Sequence, residues 1–85
     1  MNKPTKQETK KVVTAVKRRF WANKEDLPTI ADSEYRFTRH SNCQEIHWEG
    51  GDFDWAVEFS AQFNDSQDKF YVEPFNGFVL CVWKR

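Results

Sequence analysis

Between Asp52 and Phe63 the chain reads DFDWAVEFSAQF, with Phe53, Trp55, Val57, Phe59, Ala61 and Phe63 at every second position and mostly polar residues between them. A two-residue period puts such side chains on one side of a pleated sheet. This stretch is therefore predicted to be a long, curved central strand with a neighbour on each edge. Val12, Val13, Val16 and Phe20 recur instead at about 100° per residue, and Thr5 followed by Glu8 has capping-box spacing, which predicts a helix over residues 5–23 that covers one face of the sheet. Pro28 disfavours helix at itself and at Leu27, so the stretch between Asn23 and Ser33 is the connection from helix to sheet.

From Glu34 to Lys84 the pattern reads as an antiparallel meander. A two-residue turn at Gly50-Gly51 sets Trp48 opposite Phe53 and Ile46 opposite Trp55, and one at Ser41-Asn42 sets Phe37 opposite Ile46 and Tyr35 opposite Trp48. After a polar loop at 64–68, FYVEPF and FVLCVW read as a hairpin with Asn76-Gly77 at the positive-φ positions of a type I′ turn. The predicted fold is α+β: a single domain over 1–85, with one N-terminal amphipathic helix packed on a curved antiparallel meander sheet of about five strands spanning 34–84. In the last hairpin Phe70, Val72, Val79, Cys81 and Trp83 share one face, and Tyr71, Phe75, Phe78, Leu80 and Val82 share the other. One helix cannot cover both. Either the sheet curls to enclose the second face, or Tyr71, Phe75, Phe78 and Leu80 form a contact for a protein partner or a second copy of the chain.

Composition makes a small core feasible. A chain of this size buries about 60–65% of the surface its unfolded form exposes. Eight Phe, four Trp and two Tyr supply large rings for that core, each contributing about 1.5–3 kcal/mol when fully buried. The basic start, MNKPTKQETKK, has no apolar run after it, and no stretch reaches membrane-spanning length, so a cytoplasmic protein with no membrane contact is expected. Cys43 and Cys81 are too few for a disulfide framework and read as reduced thiols.

Charge changes the picture more. The chain is neutral overall, yet residues 1–24 carry eight Lys or Arg against Glu8 alone, and residues 25–83 carry three against twelve acidic residues. Such segregation creates local potentials that select partners despite overall neutrality. On the helix, Lys6, Lys10, Lys11, Lys17 and Arg18 occupy the side away from the valines, with Trp21 among them. The plain reading is a solvated face whose lysine stems keep the helix soluble. The sharper one is a phosphate-binding surface with an aromatic platform, suited to single-stranded RNA or a flexible loop better than to duplex DNA.

One constellation could be catalytic. In the predicted register Glu45, His47, Glu49, Asp52, Asp54 and Glu58 share the outer sheet face, with His47 opposite Asp54 and Arg36 opposite His47, an arrangement open to acid–base chemistry in a hydrolase. No nucleophile or Gly-rich phosphate loop accompanies it, and cross-strand ion pairs are ordinary on an exposed strand face, so the structural reading prevails. His40, Cys43 and His47 are close in sequence, but Cys43 and His47 of an extended strand stand about 13 Å apart, too far to share a metal ion. The carboxylates Glu49, Asp52 and Asp54 lack calcium-loop spacing. No metal and no cofactor are expected. The expected function is a small non-enzymatic regulatory or inhibitor protein whose basic helix binds RNA or another polyanion while the sheet contacts a protein. The alternative is a pure protein inhibitor or nucleic-acid mimic acting through its acidic sheet face or aromatic hairpin.

Overall fold

The N-terminal helix starts where the capping-box spacing puts it. The Glu8 amide donates to Thr5 Oγ1 at 3.1 Å and the Thr5 amide donates to Glu8 Oε1 at 3.0 Å, a reciprocal pairing of donors that a helix start otherwise leaves open. The computed structural model describes residues 2–20, 28–32, 42–48 and 52–85, and helix α1 runs Lys6–Phe20 within them. The last turn predicted to residue 23, the Phe20 side chain and Trp21 lie outside the described residues. Strands β1 (Thr29–Ala31) and β2 (Gln44–His47), helix α2 (Phe53–Ser66), and strands β3 (Phe70–Asn76) and β4 (Val79–Lys84) follow. The molecule is a small α+β domain. No described helix is long and apolar enough to cross a membrane.

The predicted central strand is a helix. Asp52 sits in an extended conformation before α2 and its side chain accepts from the Asp54 amide at 2.9 Å, capping the first turn. Ala56, Phe59, Ser60 and Phe63 then follow at i, i+3, i+4 and i+7 and are buried, whereas Phe53 and Val57 are 47% and 45% exposed. Phe59 and Phe63 belong to both the two-residue and the 3.6-residue period, and the helical one wins because it buries a contiguous stripe. The hairpin pairing of Trp48 with Phe53 and of Ile46 with Trp55 is accordingly replaced. Ile46 pairs with Ile30 and Leu80, and Trp48 and Trp55 meet as rings 4.9 Å apart.

The described strands form one antiparallel sheet in the order β1-β2-β4-β3, in place of the five-strand meander. The predicted strand around Tyr35 and Phe37 and the turn at Gly50-Gly51 lie outside the described residues, as does Ser41 of the other turn. Its neighbour Asn42 has φ 59°, the left-handed region that asparagine tolerates, two residues before β2.

Between β3 and β4 the register shifts by one. Pro74 pairs with Leu80 and Asn76 with Val79, leaving Phe75 as the extra residue of a bulge. The loop is Gly77-Phe78 rather than Asn76-Gly77. Asn76 and Phe78 both keep negative φ, and the Phe78 amide donates to Asn76 Oδ1 at 2.7 Å. A one-residue shift moves every β4 side chain to the opposite face from the one predicted. Leu80 and Val82 thus join Phe70 and Val72 in a core with Val12 and Val16 of α1, Ala56, Phe59 and Phe63 of α2, and Ile46 and Trp48. Both helices therefore lie on one side of the sheet. Cys43, Cys81 and Trp83, with Tyr71 against them, form a smaller cluster on the other side.

Among the described strands β3 is an edge, and α2 closes part of it. Asn64 Nδ2 donates to the Val72 carbonyl and the Val72 amide donates to Asn64 Oδ1, both at 2.8 Å, so one side chain occupies the outward-facing donor and acceptor of Val72. Two residues on, Pro74 has no amide hydrogen to offer. These are two of the devices by which sheet edges avoid pairing with other chains.

Candidate functional site

The two helices leave a groove of about 500 Å3 between them, lined by Lys11, Thr14, Ala15, Arg18 and Arg19 of α1 and by Phe63, Gln67 and Phe70 from the end of α2 and the start of β3. Its position follows from the helical pattern. Val12 and Val16 point into the core, and Ala15, one turn-face to the side, is too small to fill the space towards α2. Phe63 and Phe70 are almost wholly buried and form the floor. The volume lies in the range of small-ligand sites.

Three cations border this floor. Lys11 and Arg18 are seven residues apart, two turns along one side of α1 and so about 10 Å from each other along its axis. Both are exposed, and neither forms an ion pair with a described residue. Arg19 Nη2 contacts Glu58 Oε1 of α2 at 3.0 Å, a solvent-exposed tie between the end of α1 and the first half of α2. Such an arrangement can hold an anionic group between Lys11 and Arg18 while an apolar or aromatic portion rests on Phe63 and Phe70, and the Gln67 amide offers both a donor and an acceptor.

The helix divides the predicted basic set. Lys11 and Arg18 line the groove. Lys10 and Lys17 are exposed on an adjacent stripe of α1, turned by roughly 100° about the helix axis. Lys6 is engaged, with its Nζ 3.1 Å from Asp32 Oδ2, and that contact holds the Asp32 carboxyl below its ordinary value. Trp21 lies outside the described residues. Arg19, Phe63 and Phe70 are site residues that the sequence pattern does not single out. The alternating pattern puts Phe63 in a strand and sets Phe70 on a face with Val79, Cys81 and Trp83, whereas a helix over 53–66 brings both rings beneath the end of α1.

At the start of α1 the Glu8 carboxylate also bonds Lys84 Nζ at 2.9 Å. Its pKa is lowered, first by the hydrogen bond from the Thr5 backbone and then by Lys84. This contact joins the helix to the end of β4, where the Asn2 and Lys84 amides and carbonyls bond each other at 2.9 and 2.7 Å.

The histidine constellation does not assemble. Asp52, Asp54 and Glu58 belong to α2 and its cap, so Asp54 is not opposite His47. His47 pairs across the sheet with Thr29 and Val79, and its Nε2 lies 3.0 Å from Glu45 Oε1 in its own strand. Arg36 and Glu49 lie outside the described residues. Among the described residues no group of three or more His, Cys, Asp or Glu side chains could hold a metal ion.

The predicted protein-contact set is divided too. Leu80 is 0% exposed in the core and can contact no partner, a direct result of the Phe75 bulge. Tyr71 is half-buried, its ring 5.8 Å from Trp83 and beneath the Arg85 guanidinium at 5.4 Å. Phe75 and Phe78 are exposed at the hairpin tip. Comparison of the chain with protein-family models, with curated proteins and with solved structures finds no match.

Proposed function

We propose that this protein is a small non-enzymatic regulatory protein that holds a polyanion on the groove side of α1, and that single-stranded RNA is the polyanion the groove suits best. The observation that carries this reading is that Lys11 and Arg18 line one groove with the rings of Phe63 and Phe70, while Arg19, paired with Glu58, stands at its border. Cations alone favour any phosphate backbone. An aromatic floor beside them favours a strand whose bases are unstacked and can enter the groove. Lys10 and Lys17, on the neighbouring stripe, extend the positive surface along which a backbone continues.

Fluorescence anisotropy with a labelled 12-nucleotide oligouridylate, across a range of salt concentrations, tests this. Wild-type protein is expected to bind with an affinity that falls linearly in log–log form as salt rises. In Lys11→Gln with Arg18→Gln the slope should be shallower by about 0.7 for each phosphate that is no longer neutralised. Equal affinity for the oligouridylate, a duplex DNA of the same length and heparin would reduce the reading to a basic surface without use of the groove. No salt-sensitive binding to any of them would remove it.

A further inference from the structure

Thr14 stands at the centre of four cations on α1. Lys10 and Lys11 precede it by four and three residues, and Lys17 and Arg18 follow it by three and four. Each therefore lies within about 6 Å of it along the helix axis and within about 60° of it around that axis. Lys11 and Arg18 take the groove side, and Lys10 and Lys17 the other. All five residues are exposed, and none of the four cations forms an ion pair with a described residue. The Thr14 hydroxyl donates to the Lys10 carbonyl at 2.9 Å and so sets no charge among them. Glu8, the acidic residue of this helix, is paired with Lys84. Like charges at these spacings repel, and an anion seated over Thr14 offsets all four.

The other wall of the groove has the opposite charge. From Asp52 to Asp68 the chain has five carboxylates and no Lys or Arg. On α2, Asp54, Glu58 and Asp65 are exposed and fall within about 40° of one another, on the side opposite the buried Ala56, Phe59, Ser60 and Phe63. A phosphodiester backbone that continued over α2 would run against these carboxylates, whereas one that lies over α1 meets only cations. Charge thus favours a strand that stops in the groove over one that crosses it. The groove's volume of about 500 Å3 is that of a small-ligand site, room for one nucleotide rather than a run of them.

We infer that the groove takes the phosphorylated end of a single strand, with the terminal phosphate over Thr14 between Lys11 and Arg18 and the terminal base at Phe63 and Phe70. This rests on the polyanion reading of the groove and adds which part of the strand the groove holds. An internal phosphodiester carries one negative charge, whereas a terminal phosphomonoester carries about 1.5–2 at pH 7 and three strong acceptor oxygens. The Arg18 guanidinium meets two of those oxygens with its planar fork, and Lys11 supplies a point charge to the third. The Gln67 amide offers a donor and an acceptor to the base edge, a pairing open to any base, so the end is read rather than the sequence. The rest of the strand leaves over Lys10 and Lys17. A 5′ and a 3′ phosphate present the same chemistry, and the experiment separates them.

The test uses the full chain and a 12-nucleotide oligouridylate labelled on an internal base, prepared with a 5′ phosphate, with a 3′ phosphate, or with hydroxyls at both ends. Anisotropy should show at least one phosphorylated form bound tenfold or more tightly than the hydroxyl form, and which one it is assigns the end. Lys11→Gln with Arg18→Gln should abolish this preference. So should Thr14→Glu, which puts a carboxylate among the same four cations and, with Arg18 four residues on, favours the helix. Circular dichroism checks that both variants keep the native fold. Lys10→Gln with Lys17→Gln should weaken all three forms alike and keep the preference. Wild-type binding to all three forms with a preference below tenfold would mean that the strand passes through the groove, past Phe70 towards Lys69. That result would overturn the inference while leaving the groove reading in place. A preference that survives both Lys11→Gln with Arg18→Gln and Thr14→Glu would put the end elsewhere and overturn it too. Binding of none of the forms would remove the groove reading itself, and this inference with it.

Discussion

Helices α1 and α2 have almost the same length and lie side by side on one face of one sheet, yet they share little else. Six of the fifteen residues of α1 are Lys or Arg against a single Glu, whereas the fourteen of α2 include three acidic residues and no basic one. Helix α1 buries Thr9, Val12 and Val16 and presents charge elsewhere, while α2 buries two phenylalanines and still leaves Phe53 and Val57 in solvent. The same packing problem has been solved with surplus cation on one element and surplus apolar surface on the other. Core burial accounts for neither surplus, since both lie on sides of the helices turned away from the shared core.

The largest way to break this comparison is to ask which rings of α2 belong to the core. Phe59→Ala should cost about 3–5 kcal/mol in urea denaturation, and Phe53→Ala less than about 1 kcal/mol, because only Phe59 leaves a cavity. Similar losses for the two would restore the alternating strand. Next, Asn64→Ala leaves the Val72 amide and carbonyl without their partner and should cost about 1–3 kcal/mol, with increased self-association by light scattering as the β3 edge opens. Asp52→Ala removes the cap of α2 and should cost about 1 kcal/mol, where Asp52→Asn should cost much less.

A smaller effect sharpens the contrast at the start of α1. Glu8→Gln keeps an acceptor for the Thr5 amide and removes the charge that meets Lys84. Because the Glu8 carboxyl titrates below its ordinary value in the folded chain, its charged form stabilises the fold above that value, and the contribution disappears as pH falls through the lowered one. The difference in stability between wild type and variant should be steady above about pH 5 and close as pH falls below about 4. A gap that persists at pH 2 would assign the effect to the hydrogen bond alone.

The two helices also differ in how openly the sequence announces them. For α1, Thr5 and Glu8 mark the start and Val12 and Val16 the buried side, and each signal means one thing. For α2 the apolar positions obey two periods at once. Phe53 and Val57 complete the strand alternation although they face solvent, and the helical stripe is disguised by Ser60, a polar residue buried at 4% exposure. Asp52 as a cap, followed by Ala56, Glu58, Ala61 and Gln62, is the helical signal available. In the last hairpin the strands and the turn region are legible. The Phe75 bulge is not, because one extra residue in a run of apolar side chains leaves both faces looking alike. That single residue turns Leu80 from a predicted contact into core. The basic side of α1 is visible as well, but its floor is not, since Phe63 and Phe70 come under it only once residues 53–66 are a helix.

The central claim is that the groove bordered by Lys11 and Arg18, rather than the outer stripe of α1 or the exposed start of α2 and the hairpin tip, receives the polyanion. Titration of the 15N-labelled chain with the oligouridylate, followed by two-dimensional NMR, asks this residue by residue. Amide shifts should concentrate at Lys11, Thr14, Ala15, Arg18 and Gln67 with ring-proton shifts at Phe63 and Phe70, while Phe53, Val57 and the Phe75–Phe78 tip stay still. Shifts confined to Lys10 and Lys17 with the groove silent, or centred on α2 and the hairpin, would contradict it.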